Sequence, residues 1–189
     1  MCSISASVIS LEDVPRVKTK PGTLRQETST LRRLFPDLVS VPGVATGTVP
    51  GSSLKAGERG CAMAHRELWS TLQHKPGPHL VLEDDAKARS EEGLCGKLHD
   101  LQKSMEKEKL DLINLGPCFW DGHRKNGALC MHAYLISQKG AEILYRHSNS
   151  FDKPIDHYPV ELCKSGQLRC DVVDLFEQAG GYSYINGPV

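Results

Sequence analysis

Apolar residues along the chain follow two spacings, and the alternation between the two predicts the order of strands and helices. Short runs rich in β-branched and other apolar residues predict strands at "SASVIS", "DLVSV", "HLVLE", "LDLINLG" and "CMHAYLIS". Apolar positions three or four residues apart predict helices from Leu24 to Phe35, from Ala56 to Leu72, from Leu94 to Met105, and over "QKGAEILYRH". Strands that alternate with helices are typical of an α/β domain with a mostly parallel central sheet.

Three consecutive carboxylates, Glu83, Asp84 and Asp85, follow the apolar run "HLVL". In open α/β sheets, ligands bind at the carboxyl ends of the strands, and these residues occupy such an end. Because side chains alternate along an extended segment, Glu83 and Asp85 are predicted to face one side and Asp84 the other. Two neighbouring carboxylates repel unless a cation offsets them, which favours a Mg²⁺ or Mn²⁺ site. The alternative is a solvated turn that one of the aspartates caps.

Length and charge narrow the class of protein. The chain has 189 residues, and we expect one domain over 1–189. Lys plus Arg and Asp plus Glu number 23 each, so the charge balance does not indicate nucleic acid or an anionic membrane as a partner. No apolar run approaches the ~20 residues that span a bilayer. The first residues lack the basic and apolar regions of a signal peptide, so we expect a soluble, cytoplasmic protein.

Seven cysteines are scattered along the chain, and an odd count leaves at least one thiol unpaired or paired between chains. Without a secretion signal, we expect a reducing compartment and ordinary buried thiols. A group of soft and borderline ligands in one loop could instead hold Zn²⁺: Cys118, His123, Cys130 and His132. Their spacing matches no common zinc motif, so buried cysteines are favoured.

Six segments, in order, resemble glycosyltransferase family 25, which includes bacterial lipooligosaccharide sugar transferases and collagen galactosyltransferases. They are "VISLEDVPR", "LKAGERGCAMAHRELW", "LVLEDDA", "DLINLG", "AYLISQKGAEIL" and "KPIDHY". The resemblance runs from about Ser7 to about Tyr158 and leaves the last stretch unassigned.

The resemblance implies an A-type glycosyltransferase fold, a nucleotide-binding α/β sandwich that uses a UDP-sugar donor and Mn²⁺ or Mg²⁺. It implies transfer of a hexose, galactose or glucose, to a hydroxyl of a glycan or protein acceptor. The transfer would proceed with inversion, as a single in-line displacement. Such a reaction needs a cation to stabilise the leaving diphosphate and a general base near the acceptor hydroxyl.

Candidate residues follow for both needs. Glu83 and Asp85 are the predicted metal ligands, with Asp84 as a supporting or ribose contact. Asp156 in "PIDHY" is the predicted base, because the resemblance puts this segment near the site; the alternative is a helix N-cap. His157, the next residue, is predicted to contact the UDP-sugar donor or the metal ion.

Two further residues are predicted to contact the UDP-sugar donor. Arg16 follows the first strand and suits a diphosphate or uracil, although a solvated loop arginine fits the sequence equally well. His65 lies four residues before Trp69 on one helix face, where the alternative is a hydrogen-bonded imidazole in the core.

The chain also departs from the family pattern. Ala64 stands where the family has the Ser of a Ser-His pair, and "SVPGVATG" lacks the acid of an Ala-Val-Asp-Gly-like segment. The chain is short for the family. These departures keep two alternatives open: a catalytically weak relative that acts as a binding module, and a nucleotide-sugar hydrolase. A homo-oligomer would compensate for the short length.

Overall fold

The computed structural model describes residues 2–10, 23–44, 53–118, 122–179, 182–183 and 187–188. Its strands are β1 (Ala6–Ser10), β2 (Val39–Pro42), β3 (His79–Glu83), β4 (Ala86–Ala88), β5 (Leu112–Asn114), β6 (Ala133–Ile136), β7 (Cys170–Val172), β8 (Phe176–Gln178), β9 (Tyr182–Ser183) and β10 (Gly187–Pro188). Its helices are α1 (Thr23–Leu34), α2 (Ala56–Leu72), α3 (Leu94–Glu108), α4 (Gln138–His147) and α5 (His157–Lys164), with a short 3₁₀ turn at Arg124–Asn126.

The central sheet has six strands in the order β2-β1-β3-β6-β5-β7. β1 pairs in parallel with β2 and β3, and β5 pairs in parallel with β7, whereas β6 runs antiparallel to both of its neighbours. β6 therefore begins at the edge where the parallel strands end. β4 and β8 form a separate antiparallel ribbon, and so do β9 and β10. The predicted α/β class with a mostly parallel sheet is confirmed.

The core lies on both faces of this sheet. One layer packs Leu31 of α1, Phe35 directly after that helix, and Leu98 and Met105 of α3 against one face. The other layer packs residues of α2, α4 and α5, such as Trp69, Leu144 and Leu162, against the opposite face. The strands divide their side chains between the two layers, as alternation requires: Leu80 and Leu82 face one, and Val81 faces the other. No described helix is long and apolar enough to cross a membrane.

Local sequence explains where two important helices begin. Glu58, in the first turn of α2, accepts a hydrogen bond from the Lys55 amide at 2.8 Å, and its charge suits a helix N-terminus. Ser137 caps α4 by accepting a hydrogen bond from the Gly140 amide at 3.0 Å. α2 spans the residues that the apolar stripe predicts.

Six of the seven cysteines are paired. The disulfides join Cys2 to Cys95, Cys118 to Cys130 and Cys163 to Cys170. The Cys61 thiol is free. The preference for ordinary buried cysteines at Cys118 and Cys130 is therefore wrong, because these two residues form a disulfide, whereas the odd count correctly required one unpaired thiol. Disulfides are typical of oxidising compartments, so the pairing argues against the reducing environment expected from the N-terminal sequence.

Candidate active site

The acidic triplet lies where β3 leaves the sheet. Asp84 ties this turn to the end of β1: its amide donates to the Ile9 carbonyl at 3.1 Å, and its Oδ2 accepts from the Ser10 hydroxyl at 3.1 Å. On the other side, the Glu83 amide donates to the His132 carbonyl at 2.8 Å, just before β6. Three strand ends thus hold the triplet at one edge of the sheet.

Glu83 is the end of a buried chain of hydrogen bonds. The Trp69 indole donates to the Tyr134 hydroxyl at 2.9 Å, and that oxygen lies 3.0 Å from His65 Nδ1. His65 Nε2 lies 2.9 Å from Glu83 Oε1. Since a carboxylate can only accept, Nε2 carries the proton, Nδ1 accepts from Tyr134, and every donor in the chain points towards Glu83. The side chains of Trp69, Tyr134 and His65 are fully buried.

These buried hydrogen bonds keep Glu83 ionised. Burial raises the pKa of the Glu83 carboxyl, but the hydrogen bond and charge of His65, with a smaller contribution from His132, outweigh burial and leave the pKa below its usual value. The Cys61 thiol adds a weak hydrogen bond, with its Sγ 3.9 Å from Oε1. Glu83 is therefore held as an oriented, partly buried anion.

Asp85 is in the opposite situation. Burial and the charge of Glu83 raise the pKa of Asp85 to about 7, although a hydrogen bond from Gln178 acts against this rise. Gln178 Nε2 donates to Asp85 Oδ2 at 2.7 Å, and the Ala179 amide donates to the Asp85 carbonyl at 2.8 Å. The other carboxylate oxygen, Oδ1, is buried and has no hydrogen-bond partner among the described residues. A buried carboxylate oxygen without a partner is an open ligand position.

Asp156 lies directly before α5, as the N-cap alternative requires, but its side chain makes no capping bond. Its Oδ2 instead accepts from the Cys130 amide at 3.2 Å. The Cys130 segment is fixed to the sheet by buried Asn114, whose side-chain amide donates to the carbonyls of Cys130 at 2.7 Å and Ala128 at 3.1 Å. Asp156 is thus turned away from its own helix.

The charges of all three predicted acids act on the Cys61 thiol. Burial raises the pKa of this thiol well above its ordinary value, and the charges of Glu83, Asp156 and Asp85 raise it further. One side chain on α2 therefore lies within the field of both predicted metal ligands and of the predicted base. The thiol stays neutral among these carboxylates.

The remaining predicted residues are less closely grouped. The His65 side chain is fully buried, and both ring nitrogens are hydrogen-bonded. The alternative of a hydrogen-bonded imidazole in the core therefore describes its environment, and His65 holds Glu83 through a hydrogen bond. Asp84 contacts Ser10 in the turn. His157 is exposed at the start of α5. Arg16 lies outside the described residues.

Sequence reasoning missed three contributors to this site. Tyr134 was assigned only to a strand, and Gln178 falls in the stretch left without assignment. Asn114 was part of an apolar strand motif, where a single polar residue in "LINLG" was the one available signal. Cys61 lies four residues before His65 on α2, and this helical spacing puts both side chains beside Glu83.

Comparison with known proteins agrees with this architecture. Residues 46–126 match glycosyltransferase family 25 (LPS biosynthesis protein), which confirms the resemblance for the three segments inside this range: "LKAGERGCAMAHRELW", "LVLEDDA" and "DLINLG". The matched range includes α2, the acidic triplet and β5. No curated protein sequence matches the chain significantly.

Among solved structures, a glycosyltransferase involved in the glycosylation of the major capsid of PBCV-1 has a similar fold. Its TM-score is 0.56 at 10% sequence identity, with 95% of both chains covered. A197 from STIV gives a TM-score of 0.49 at 10% identity, with 93% of this chain and 82% of that chain covered. The first likeness confirms the predicted α/β fold class of nucleotide-sugar transferases. The family match over residues 46–126 supports the predicted enzyme class, a glycosyltransferase.

Proposed function

We propose that this protein transfers a hexose, galactose or glucose, from a UDP-sugar to an acceptor hydroxyl with inversion. The similarity of residues 46–126 to glycosyltransferase family 25 supports this proposal. One observation supports this proposal most strongly. The charges of Glu83, Asp85 and Asp156 all act on the Cys61 thiol, which lies 3.9 Å from Glu83, and the acidic triplet lies at the edge of the sheet where such folds bind ligands. Two of these acids suit a cation and the third suits a base.

The donor set of Glu83 and Asp85 fits a hard divalent cation. Both groups offer carboxylate oxygens, which Mn²⁺ and Mg²⁺ prefer, and Asp85 Oδ1 is buried without a partner. Neither carboxylate forms an ion pair with a lysine or arginine of the described ranges. A divalent cation bound there would neutralise charge on the diphosphate of the donor. The buried hydrogen-bond chain holds Glu83 in its ionised form for this role.

Asp156 is the proposed general base. Its Oδ2 is fixed by the Cys130 amide, and the carboxylate would take the proton of the acceptor hydroxyl as that oxygen attacks the anomeric carbon. The bond between the anomeric carbon and the UDP oxygen breaks in the same step, and UDP leaves with the electron pair. No covalent sugar intermediate forms, and the configuration of the anomeric carbon inverts.

Calorimetry with UDP, with and without Mn²⁺, tests the cation site. We expect Mn²⁺-dependent UDP binding in the wild type, and at least about tenfold weaker binding in Glu83→Gln and in Asp85→Asn, which keep side-chain shape. Asp100→Asn is the matched control, because Asp100 is an acid exposed on α3. UDP binding that ignores Mn²⁺, or that survives both site substitutions, would overturn the proposal. Absence of UDP binding would favour the binding-module alternative, to which the loss of the family Ser at Ala64 points.

The reaction itself is tested by release of UDP from UDP-galactose and UDP-glucose. Asp156→Asn should keep Mn²⁺-dependent UDP binding while transfer falls by about 10²–10⁴-fold, the usual contribution of a general base. Release that needs no acceptor, and yields free hexose, would support the hydrolase alternative instead. Unchanged transfer in Asp156→Asn would exclude Asp156 as the base.

A further inference from the structure

A second group of ligand-type side chains lies beside the acidic site and takes no part in the proposed reaction. It comprises Cys118, Cys130 and His132, whose sulfur and ring nitrogen atoms all lie within 4.8 Å of one another. In this structure the two sulfurs form a disulfide, with the Cα atoms 5.6 Å apart. Cys118 is exposed, Cys130 is partly buried and His132 is buried. We call these three residues the Cys-Cys-His group.

The imidazole of His132 is the feature that demands an explanation. It is 2% exposed, and neither ring nitrogen makes a hydrogen bond of normal distance and angle to a described residue, although the Phe176 backbone acts on the ring as a weak partner. The ring lies against Gly116, where an added Cβ would overlap with it, so the chain leaves room for this side chain. A buried polar group without a partner is uncommon, and a missing metal ion is one of its recognised causes.

A second group of the same composition provides a comparison within the same chain. Cys2, Cys95 and His99 also lie within 4.8 Å of one another, and the two cysteines also form a disulfide. His99, however, is only partly buried, so water can reach its ring. Proximity of two cysteines and a histidine therefore does not by itself indicate a ligand. The unpartnered, buried nitrogens distinguish His132.

We propose that the Cys-Cys-His group binds Zn²⁺ when its disulfide is reduced, with Cys118, Cys130 and His132 as three ligands and a fourth position open towards solvent. Thiolate sulfur and imidazole nitrogen are the ligands that Zn²⁺ prefers, whereas the carboxylates of the acidic site suit Mn²⁺ or Mg²⁺. The Cα separation of the two cysteines lets both sulfurs reach one ion after side-chain rotation. The three side chains have no assigned role in the proposed transfer, although the Cys130 amide holds Asp156.

The chemistry balances with an external thiol as the reductant. Two thiol molecules reduce the Cys118–Cys130 disulfide to two thiols and are themselves oxidised to one disulfide molecule. Zn²⁺ then replaces the proton of each cysteine thiol, which releases two protons to solvent, and His132 donates a lone pair from a neutral ring nitrogen. Oxidation would reverse the sequence and release the ion.

The test uses the full chain and Co²⁺ as a spectroscopic probe that Zn²⁺ displaces. After reduction by a thiol and removal of the thiol without air, the wild type should bind one Co²⁺ per chain. This binding should give thiolate-to-cobalt charge-transfer absorption and the intense visible bands of tetrahedral Co²⁺. The oxidised protein should give neither signal. Adding Glu83→Gln to each variant keeps the acidic site from contributing.

Matched variants separate the two Cys-Cys-His groups. Cys118→Ser, at an exposed position that tolerates replacement, should abolish the charge-transfer signal, and His132→Ala should weaken Co²⁺ binding at least tenfold. His99→Ala and Cys2→Ser should leave it unchanged. The proposal is overturned if the reduced wild type gives no thiolate-to-cobalt signal. It is also overturned if Cys2→Ser, rather than Cys118→Ser, removes that signal, or if His132→Ala binds Co²⁺ like the wild type while folded by circular dichroism.

Discussion

Replacing Tyr134 with Phe removes one oxygen atom from the middle of the buried hydrogen-bond chain. That oxygen accepts from the Trp69 indole at 2.9 Å and donates to His65 Nδ1 at 3.0 Å. All three side chains are fully buried, so water cannot replace the lost contacts. The ring itself is retained, which means that packing against the sheet changes little. The substitution therefore isolates the energetic contribution of the hydroxyl.

The expected loss of stability follows from two groups left without a partner. An unsatisfied buried donor or acceptor costs about 1–3 kcal/mol, and Tyr134→Phe creates one of each, the indole N–H and the imidazole Nδ1. We therefore expect the free energy of unfolding to fall by about 2–6 kcal/mol. Urea unfolding followed by far-ultraviolet circular dichroism measures this change, provided that the dependence on urea concentration stays linear with an unchanged slope.

A double-mutant cycle with Trp69→Phe tests the mechanism rather than the size of the effect. In the Tyr134→Phe background, removing the indole also removes one orphaned donor, so Trp69→Phe should destabilise less there than in the wild type, by about 1–3 kcal/mol. Purely additive losses, or a Tyr134→Phe protein within about 0.5 kcal/mol of the wild type, would refute the idea that this hydroxyl links the two side chains.

Three further outcomes are expected. The His79 ring is hydrogen-bonded to the hydroxyls of Ser5 and Ser7. Burial lowers the pKa of His79 from 6.5 to about 4, and the charge of Lys75 makes a smaller contribution in the same direction. As pH falls, His79 therefore binds a proton in the unfolded chain before it does so in the folded protein. Between neutral pH and pH 4, the free energy of unfolding of the wild type should fall by up to about 3 kcal/mol more than that of His79→Gln. Urea titrations at each pH measure this difference. Removing the Cys2–Cys95 disulfide, with a sequence separation of 93, should cost about 5 kcal/mol in the chain-entropy model, against about 2.5 kcal/mol for the disulfide with a separation of 7; urea midpoints in the reverse order would contradict this account. Asn114→Ala removes three hydrogen bonds of a buried amide and should lower unfolding free energy by about 2–4 kcal/mol, whereas a change below about 0.5 kcal/mol would show that the Cys130 segment is held by other contacts.

Local pattern predicted much of this fold because its strongest signals are local. α2 spans the residues that its apolar stripe indicates, and the strand at His79–Glu83 is bounded as predicted, because burial on both faces imposes a continuous apolar run. α5 was not predicted, since it has only eight residues and contains Pro159. β7 and β8 have three residues each, too few for a periodic signal.

The candidate site was predicted unevenly for a related reason. Charged residues at a strand end stand out in sequence, so Glu83 and Asp85 could be selected from local pattern alone. Their partners could not, because Tyr134 and Gln178 are brought to them by long-range strand pairing, β6 beside β3 and β8 beside β4. Alternation tells which face a strand residue occupies, but it does not tell which distant side chain shares that face.

Charge balance within the site gives the cation its physical reason. The charges of Glu83, Asp85 and Asp156 all act on the Cys61 thiol, and the described lysines and arginines form no ion pair with any of these three carboxylates. A buried, uncompensated cluster can be relieved in two ways, by protonating one acid or by binding a cation. The hydrogen-bond chain prevents protonation of Glu83, so the strain falls on Asp85, whose pKa is raised to about 7. The two acids are thereby made unequal: Glu83 is held as an anion, and Asp85 keeps its proton up to a pKa of about 7.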